Sequence, residues 1–225
     1  DINGLSTYVN GRGAPLLFLH GYGSSKESFY YQLDKFSDCF RVYAPDLPGF
    51  KKPLPSAYSL DDYCAIVKEF ILKTGESDFS VIAHSFGARI VLKMSPYNFN
   101  KIVFTGAAGL KPRFSASFYL KKWGYKSIKR IFGESLAKKF SLKVNKNGIE
   151  NMPLYNRQSF IKIVNEHLDY KLKDVTRKTL IVEGTRDTVT PKYMAKRFHK
   201  GIKDSELVFI NGGHYAFIDD YTSFN

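Results

Sequence analysis

Apolar residues along the chain fall into short unbroken runs, and these alternate with longer segments that carry a three- to four-residue period. Short runs bounded by turn residues predict buried strands, and the longer periodic segments predict helices. The predicted strands cover residues 16–20 (LLFLH), 41–45, 79–84 (FSVIAH), 101–106, 178–183 and 206–210. The predicted helices between them cover 26–38, 59–73, 85–93 and 191–200. Ser59, with Asp62 three residues on, reads as a capping-box-like start, and Gly75 as the stop. Pro191 sits at the first turn of the last helix and Gly201 just past its end. Residues 5–9, ahead of Asn10-Gly11, read as an antiparallel edge strand.

Strand–helix alternation of this kind predicts an α/β fold, a mostly parallel sheet flanked by helices. Residues 109–174 interrupt it with no convincing buried strand. There Phe114, Phe118, Trp123, Ile128, Ile131 and Phe132 recur at helical steps. Gly133 breaks that helix, a shorter one follows at 134–140, and another candidate covers 158–168. The organisation read from this is a core in two parts, 1–109 and 175–225, with a helical cap inserted at 110–174.

Composition changes the picture at two points. The 225 residues suit one domain with an insertion, large enough to fold without staples. The two cysteines, Cys39 and Cys64, make no disulfide framework, and both are read as small buried hydrophobes in amphipathic helices. No apolar run approaches membrane-spanning length, and the chain opens on Asp1 with no signal-peptide pattern. A cytoplasmic location in a reducing cytosol is therefore expected. The formal charge of +13 first suggests a nucleic-acid or membrane-surface protein. Position changes that reading. Between Lys111 and Lys146 there are 11 Lys and Arg and one acid, Glu134, while the rest of the chain is nearly balanced. No nucleic-acid partner is expected. The basic face is either simply solvated, or makes a weak contact with an anionic membrane, or draws anionic substrates.

Four turns carry the candidate chemistry. Ala83-His84-Ser85-Phe86-Gly87 lies between an apolar strand and a helix. A Ser on so sharp a turn exposes its hydroxyl, and small residues two before and two after it are needed. The same pattern also fits an ordinary strand–helix turn. His20-Gly21-Tyr22-Gly23 follows the first long strand, so the Tyr22 and Phe86 amides are candidates for an oxyanion hole. Asp187 lies in Gly184-Thr185-Arg186-Asp187, and His214 ends Gly212-Gly213-His214. Each is bland alone. Both, however, follow predicted strands at the rim where open α/β sheets hold ligands, and the chain order is Ser, Asp, His.

With these turns and Asp46-Leu47-Pro48-Gly49, the sequence resembles the α/β-hydrolase fold superfamily. The likeness covers about residues 2–110 and 178 to the end, and looks most like capped small serine hydrolases of low-GC Gram-positive bacteria. The resemblance implies Ser85 as nucleophile, His214 as base and Asp187 as its orienting acid, with no metal or organic cofactor. Relatives that open epoxides or remove halides carry Asp where Ser85 stands. Thr105-Gly106-Ala107-Ala108 lacks the acid that some relatives place there, which leaves Asp187 as the third member. His84 is expected to pack, and His167 and His199 to be surface or helix residues. Phe114, Phe118 and Trp123 are candidates to line the acyl pocket.

The expected activity is hydrolysis of carboxylic esters or related small-molecule acyl compounds through an acyl-enzyme. Carbon–carbon bond hydrolases, acyltransferases, thioesterases, amidases and cofactor-free peroxidases use the same residues and stay open. So does a different class, a non-catalytic ligand-binding protein. Oligomeric state is not legible.

Overall fold

The computed structural model describes residues 1–95, 97, 99–113 and 151–225. Within them the strands are β1 (Thr7–Asn10), β2 (Pro15–Leu19), β3 (Arg41–Pro45), β4 (Ser80–His84), β5 (Ile102–Thr105), β6 (Thr179–Gly184) and β7 (Ser205–Ile210). Among the described residues they form one sheet in the order β1-β3-β2-β4-β5-β6-β7. β1 pairs antiparallel with β3, and the other pairs are parallel. The helices are α1 (Tyr30–Phe36), entered through the 3-10 turn Lys26–Phe29, then α2 (Leu60–Thr74), α3 (Phe86–Met94), α4 (Leu154–Asn165), α5 (Lys192–Gly201), α6 (Ala216–Asp219) and α7 (Tyr221–Phe224).

Burial follows the two-residue period of the strands. Leu17 and Leu19 enter the core on one side of the sheet with Val81 and Ala83. Leu16 and Phe18 enter the other with Val42, Ala44 and Ile82. Strands covered on both faces read as continuous apolar runs rather than alternating ones, which is why LLFL was legible as a strand. Both β3 and β4 pair with β2, so the chain leaves β2 in one direction, returns, and continues in the other. A crevice opens at the carboxyl ends of the strands at such a reversal. The turns after β2 and β4 are those holding Tyr22 and Ser85.

Local signals act as expected at α2. Ser59 Oγ accepts from Asp62 N–H at 3.2 Å, and Asp62 Oδ2 accepts from Ser59 N–H at 2.7 Å. Gly75 closes the helix at φ 74°. Three expectations need correction. Cys64 is buried in α2, but Cys39 is exposed in the turn after α1. Gly201 is the last residue of α5 rather than the one beyond it. The helix expected at 158–168 runs instead from Leu154 to Asn165. Its buried positions are Asn156, Ser159 and Ile163, so two of the three that carry the helical spacing are polar. Asn156 accepts from Leu54 N–H and donates to Gly49 O, and Ser159 Oγ accepts from Tyr58 N–H. The remainder of the expected cap, 114–150, lies outside the described residues, and with it Phe114, Phe118, Trp123 and the helix expected at 134–140. No helix among the described residues is long and apolar enough to cross a membrane.

Candidate active site

Ser85 is the hinge between β4 and α3. Its φ of 49° and ψ of −100° fall in a region that L-residues rarely occupy. The strain persists because both sides of the turn are fixed. Ser85 N–H donates to Thr105 O at 3.1 Å, and a Cβ at Gly87 would stand 2.2 Å from Leu19 O. α3 therefore packs backbone against backbone on β2, with the Ser85 hydroxyl at the carboxyl end of the sheet.

Three residues distant in sequence meet there. His214 Nε2 lies 3.0 Å from Ser85 Oγ, and His214 Nδ1 lies 2.7 Å from Asp187 Oδ2. Asp187 follows β6 in a tight turn, where its Oδ1 accepts from the N–H groups of Val189 and Thr190 at 2.7 and 2.9 Å. Thr190 Oγ1 donates to Asp187 Oδ2 at 2.8 Å and lies 3.2 Å from His214 Nδ1. Burial acts to raise the Asp187 carboxyl, but the bonds from His214 and the Thr190 N–H outweigh it and hold Asp187 well below the usual carboxylate range. Asp187 is thus an anion with its acceptor sites filled by His214 and its own turn. Thr190 was not singled out from the sequence. Its signal is the Asp-x-x-Thr spacing ahead of Pro191, where an Asp accepts amides from its own turn.

Two buried histidines hold the surrounding loops. His20 Nδ1–H donates to Gly21 O at 2.8 Å, and its Nε2 accepts from Leu47 N–H at 2.9 Å. This ties the Gly21-Tyr22 turn to the Asp46-Leu47-Pro48-Gly49 turn and needs a neutral ring. His84 Nε2–H donates to His214 O at 3.0 Å, so His84 supports the His214 backbone, while the Ser85 hydroxyl bonds to the His214 ring. Burial lowers His20 to about 4 and His84 to about 3. The sign follows. The unfolded chain protonates both rings below about pH 6.5 while the folded chain does not, so their stabilisation is complete above 6.5 and is lost as pH falls toward 4 and 3. The stability advantage of wild type over His20→Asn is expected to shrink by on the order of 2–3 kcal/mol between pH 7 and 4. Urea titrations across that range measure it, and a constant difference contradicts a neutral buried His20.

Glu183, the penultimate residue of β6, is fully buried. Neither carboxyl oxygen has a hydrogen-bond partner among the described residues. Burial first, then the neighbouring Asp187, push it up to about 9, which makes it a neutral acid at pH 7.

Tyr22 and Phe86 face the same space. Their rings meet edge-on with centroids 5.5 Å apart, and Tyr22 also packs on Phe50 and Phe160. The Tyr22 hydroxyl donates to Asn156 O at 2.9 Å, tying the turn after β2 to α4. No backbone acceptor in the turns and loops of the described residues takes the Tyr22 or Phe86 N–H. A cavity of about 430 Å³, bounded by described residues, lies against Ser85 and His214. Its walls are largely apolar, with Tyr22, Phe86, Leu110, Phe160, Ile163 and Met194 among them.

Comparison with known proteins agrees with this architecture. The chain is similar to the AB hydrolase superfamily protein YisY of Bacillus subtilis, 26% identical over 96% of this chain and 90% of the relative. It is also similar to the 2-hydroxy-6-oxo-2,4-heptadienoate hydrolase of Pseudomonas putida, 22% identical over 95% of this chain and 87% of that protein. The solved structure of an esterase from Exiguobacterium antarcticum superposes with a TM-score of 0.74 at 25% identity, covering 99% of this chain and 93% of its own. A profile of the Alpha/beta hydrolase family matches residues 16–224, and with the sheet order and the Ser85 turn described above, the chain belongs to that family.

Proposed function

We propose that this hydrolase cleaves carboxylic esters through an acyl-enzyme on Ser85. The observation that carries the reading is the hydrogen-bonded series Ser85 Oγ, His214 Nε2, His214 Nδ1, Asp187 Oδ2 on a strained Ser85 turn. A hydroxyl is a weak nucleophile until a base takes its proton during attack. Neutral His214 accepts that proton as Ser85 Oγ bonds to the ester carbon. Asp187 holds the ring orientation and stabilises the imidazolium. Donation of the proton to the leaving alkoxide releases the alcohol. Water, deprotonated by the same ring, then attacks the acyl carbon and Ser85 leaves with the proton returned. Charge on the tetrahedral oxygen falls to the Tyr22 amide in the turn after β2 and the Phe86 amide at the N-terminus of α3, where each preorganised donor contributes about 3 kcal/mol.

The apolar cavity suits a small acyl group, and residues 110–174 would act as a cap over it. Two free thiols, one of them the exposed Cys39, fit a reducing cytosol. The test is a panel of esters of varied acyl length and charge, with Ser85→Ala as control. The likeness to the Pseudomonas putida protein supports a second reading, carbon–carbon bond hydrolysis on the same residues. Including 2-hydroxy-6-oxo-2,4-heptadienoate in the panel separates the two.

A further inference from the structure

Arg89 is a cation in an apolar cavity with no assigned work there. It lies one turn along α3 from the nucleophile, with its N–H on Ser85 O at 3.3 Å. Residues four apart on a helix are neighbours, about 5–6 Å between Cβ atoms. The side chain lines the cavity that Ser85 and His214 also line, and among the described lining residues it is the one permanently charged group. Gly109 packs on its stem, since a Cβ at Gly109 would stand 3.4 Å from Arg89 Cγ. Burial lowers the guanidinium to about 10, so it remains charged at neutral pH.

Its partners are incomplete. Nη1 donates to Ile163 O at 2.8 Å and Glu166 O at 2.9 Å, the carbonyls at the end of α4. Nε and Nη2 have no acceptor among the described residues, and no carboxylate there pairs with Arg89. The nearby Glu166 carboxylate is bonded instead to Lys93 Nζ. A half-buried guanidinium that meets only neutral carbonyls keeps part of its donor fork for an anion, and a planar carboxylate matches that fork. The sequence following Leu110 points the same way. Between Lys111 and Lys146 it carries 11 Lys and Arg against Glu134, a charge that raises the local concentration of anions.

We infer that Arg89 forms a carboxylate subsite in the Ser85 cavity, and that the substrates are esters whose acyl chain bears a carboxylate one helical turn from the reacting carbonyl. The substrate class rests on the proposed Ser85 chemistry. The anion site does not, and the two are tested separately. Binding of monomethyl succinate, glutarate and adipate to Ser85→Ala is measured by calorimetry beside the neutral dimethyl esters. The monoanion of matching length is expected to bind about tenfold tighter than its diester. That preference should disappear in Ser85→Ala/Arg89→Gln and survive in part in Ser85→Ala/Arg89→Lys, which keeps the charge and loses the fork. In the Ser85 enzyme, the ratio of kcat/KM for nitrophenyl hemiesters over their neutral methyl-capped counterparts should fall about tenfold in Arg89→Gln.

A tether of α4 alone would lower both ester types alike, and that result, or equal binding of monoester and diester by Ser85→Ala, overturns the subsite. Monoester preference in Ser85→Ala together with a wild-type Ser85 that no fluorophosphonate labels keeps the subsite and overturns the acyl-enzyme reading.

Discussion

Ester turnover is expected to fall about 10⁴- to 10⁶-fold in Ser85→Ala, with the fold intact. Removal of Oγ takes away the bond-forming atom, so only the oxyanion donors and binding act on a water attack. The hydroxyl makes little contribution to the fold. Ser85 begins α3 without a side-chain capping bond, and its one side-chain partner within the site is the His214 ring. The melting temperature should therefore move by no more than roughly 2–4 °C, the equivalent of about 1 kcal/mol in a chain of this size. Asp187→Asn is the companion change. An amide in place of the carboxylate loses the charge and favours the wrong imidazole tautomer, at a cost of about 10⁴ in kcat. Steady-state rates on the most active ester of the panel measure both. Residual activity within tenfold of wild type in Ser85→Ala would remove Ser85 from the chemistry.

The second large effect is structural in origin. In Gly87→Val, the new Cβ would meet Leu19 O at 2.2 Å, Leu19 C at 2.7 Å and Leu19 Cβ at 2.8 Å. Those contacts are with β2 backbone and the base of its side chain, so no rotamer relieves them. α3 must move away from the sheet, and the turn between β4 and α3 moves with it. Overpacking of this kind costs about 3 kcal/mol, a fall in melting temperature of roughly 6–12 °C. Movement of about 1 Å at the site costs on the order of 10²-fold in turnover. Thermal melts and ester assays on the same preparation read both quantities. A variant with wild-type melting and turnover would show that α3 does not depend on close approach to β2.

The inner strands and the order of the turns were legible in the sequence because burial on both faces of a parallel sheet writes itself as apolar runs, while the edge strand β7 keeps an apolar stretch although Glu206 and Val208 are exposed. Ser85, Asp187 and His214 each follow such a run, so the rim was readable without side-chain geometry. The α4 boundaries were not. The first half of that helix buries Asn156 and Ser159, which satisfy loop backbone, and only Ile163 further along enters the core, so hydrophobic periodicity cannot report where the helix starts. Thr190, Glu183 and Arg89 were missed for a related reason. Their meaning lies in what surrounds them in three dimensions: Asp187 with His214 for Thr190, complete burial for Glu183, and an apolar cavity for Arg89. Cys39 shows the opposite error, an apolar-looking residue that falls in an exposed turn just past α1.

The composition acquires a more specific meaning from the site. A net charge of +13 drawn almost wholly from the stretch between Lys111 and Lys146 leaves the core nearly neutral. That stretch follows directly on Leu110, which lines the cavity holding Arg89 and Ser85. On the proposed carboxylate subsite, charge bears on which substrates approach, while the proposed bond cleavage rests on three residues at the carboxyl edge of the sheet.

The central claim is that His214 makes the Ser85 hydroxyl a nucleophile. Intact-mass measurement after treatment with a fluorophosphonate tests it most directly, with peptide mapping of the modified site. One covalent adduct per chain, mapped to Ser85, absent in Ser85→Ala and strongly slowed in His214→Ala, is the predicted result. A folded wild-type protein that takes up no label, or takes it up at another residue, would contradict it.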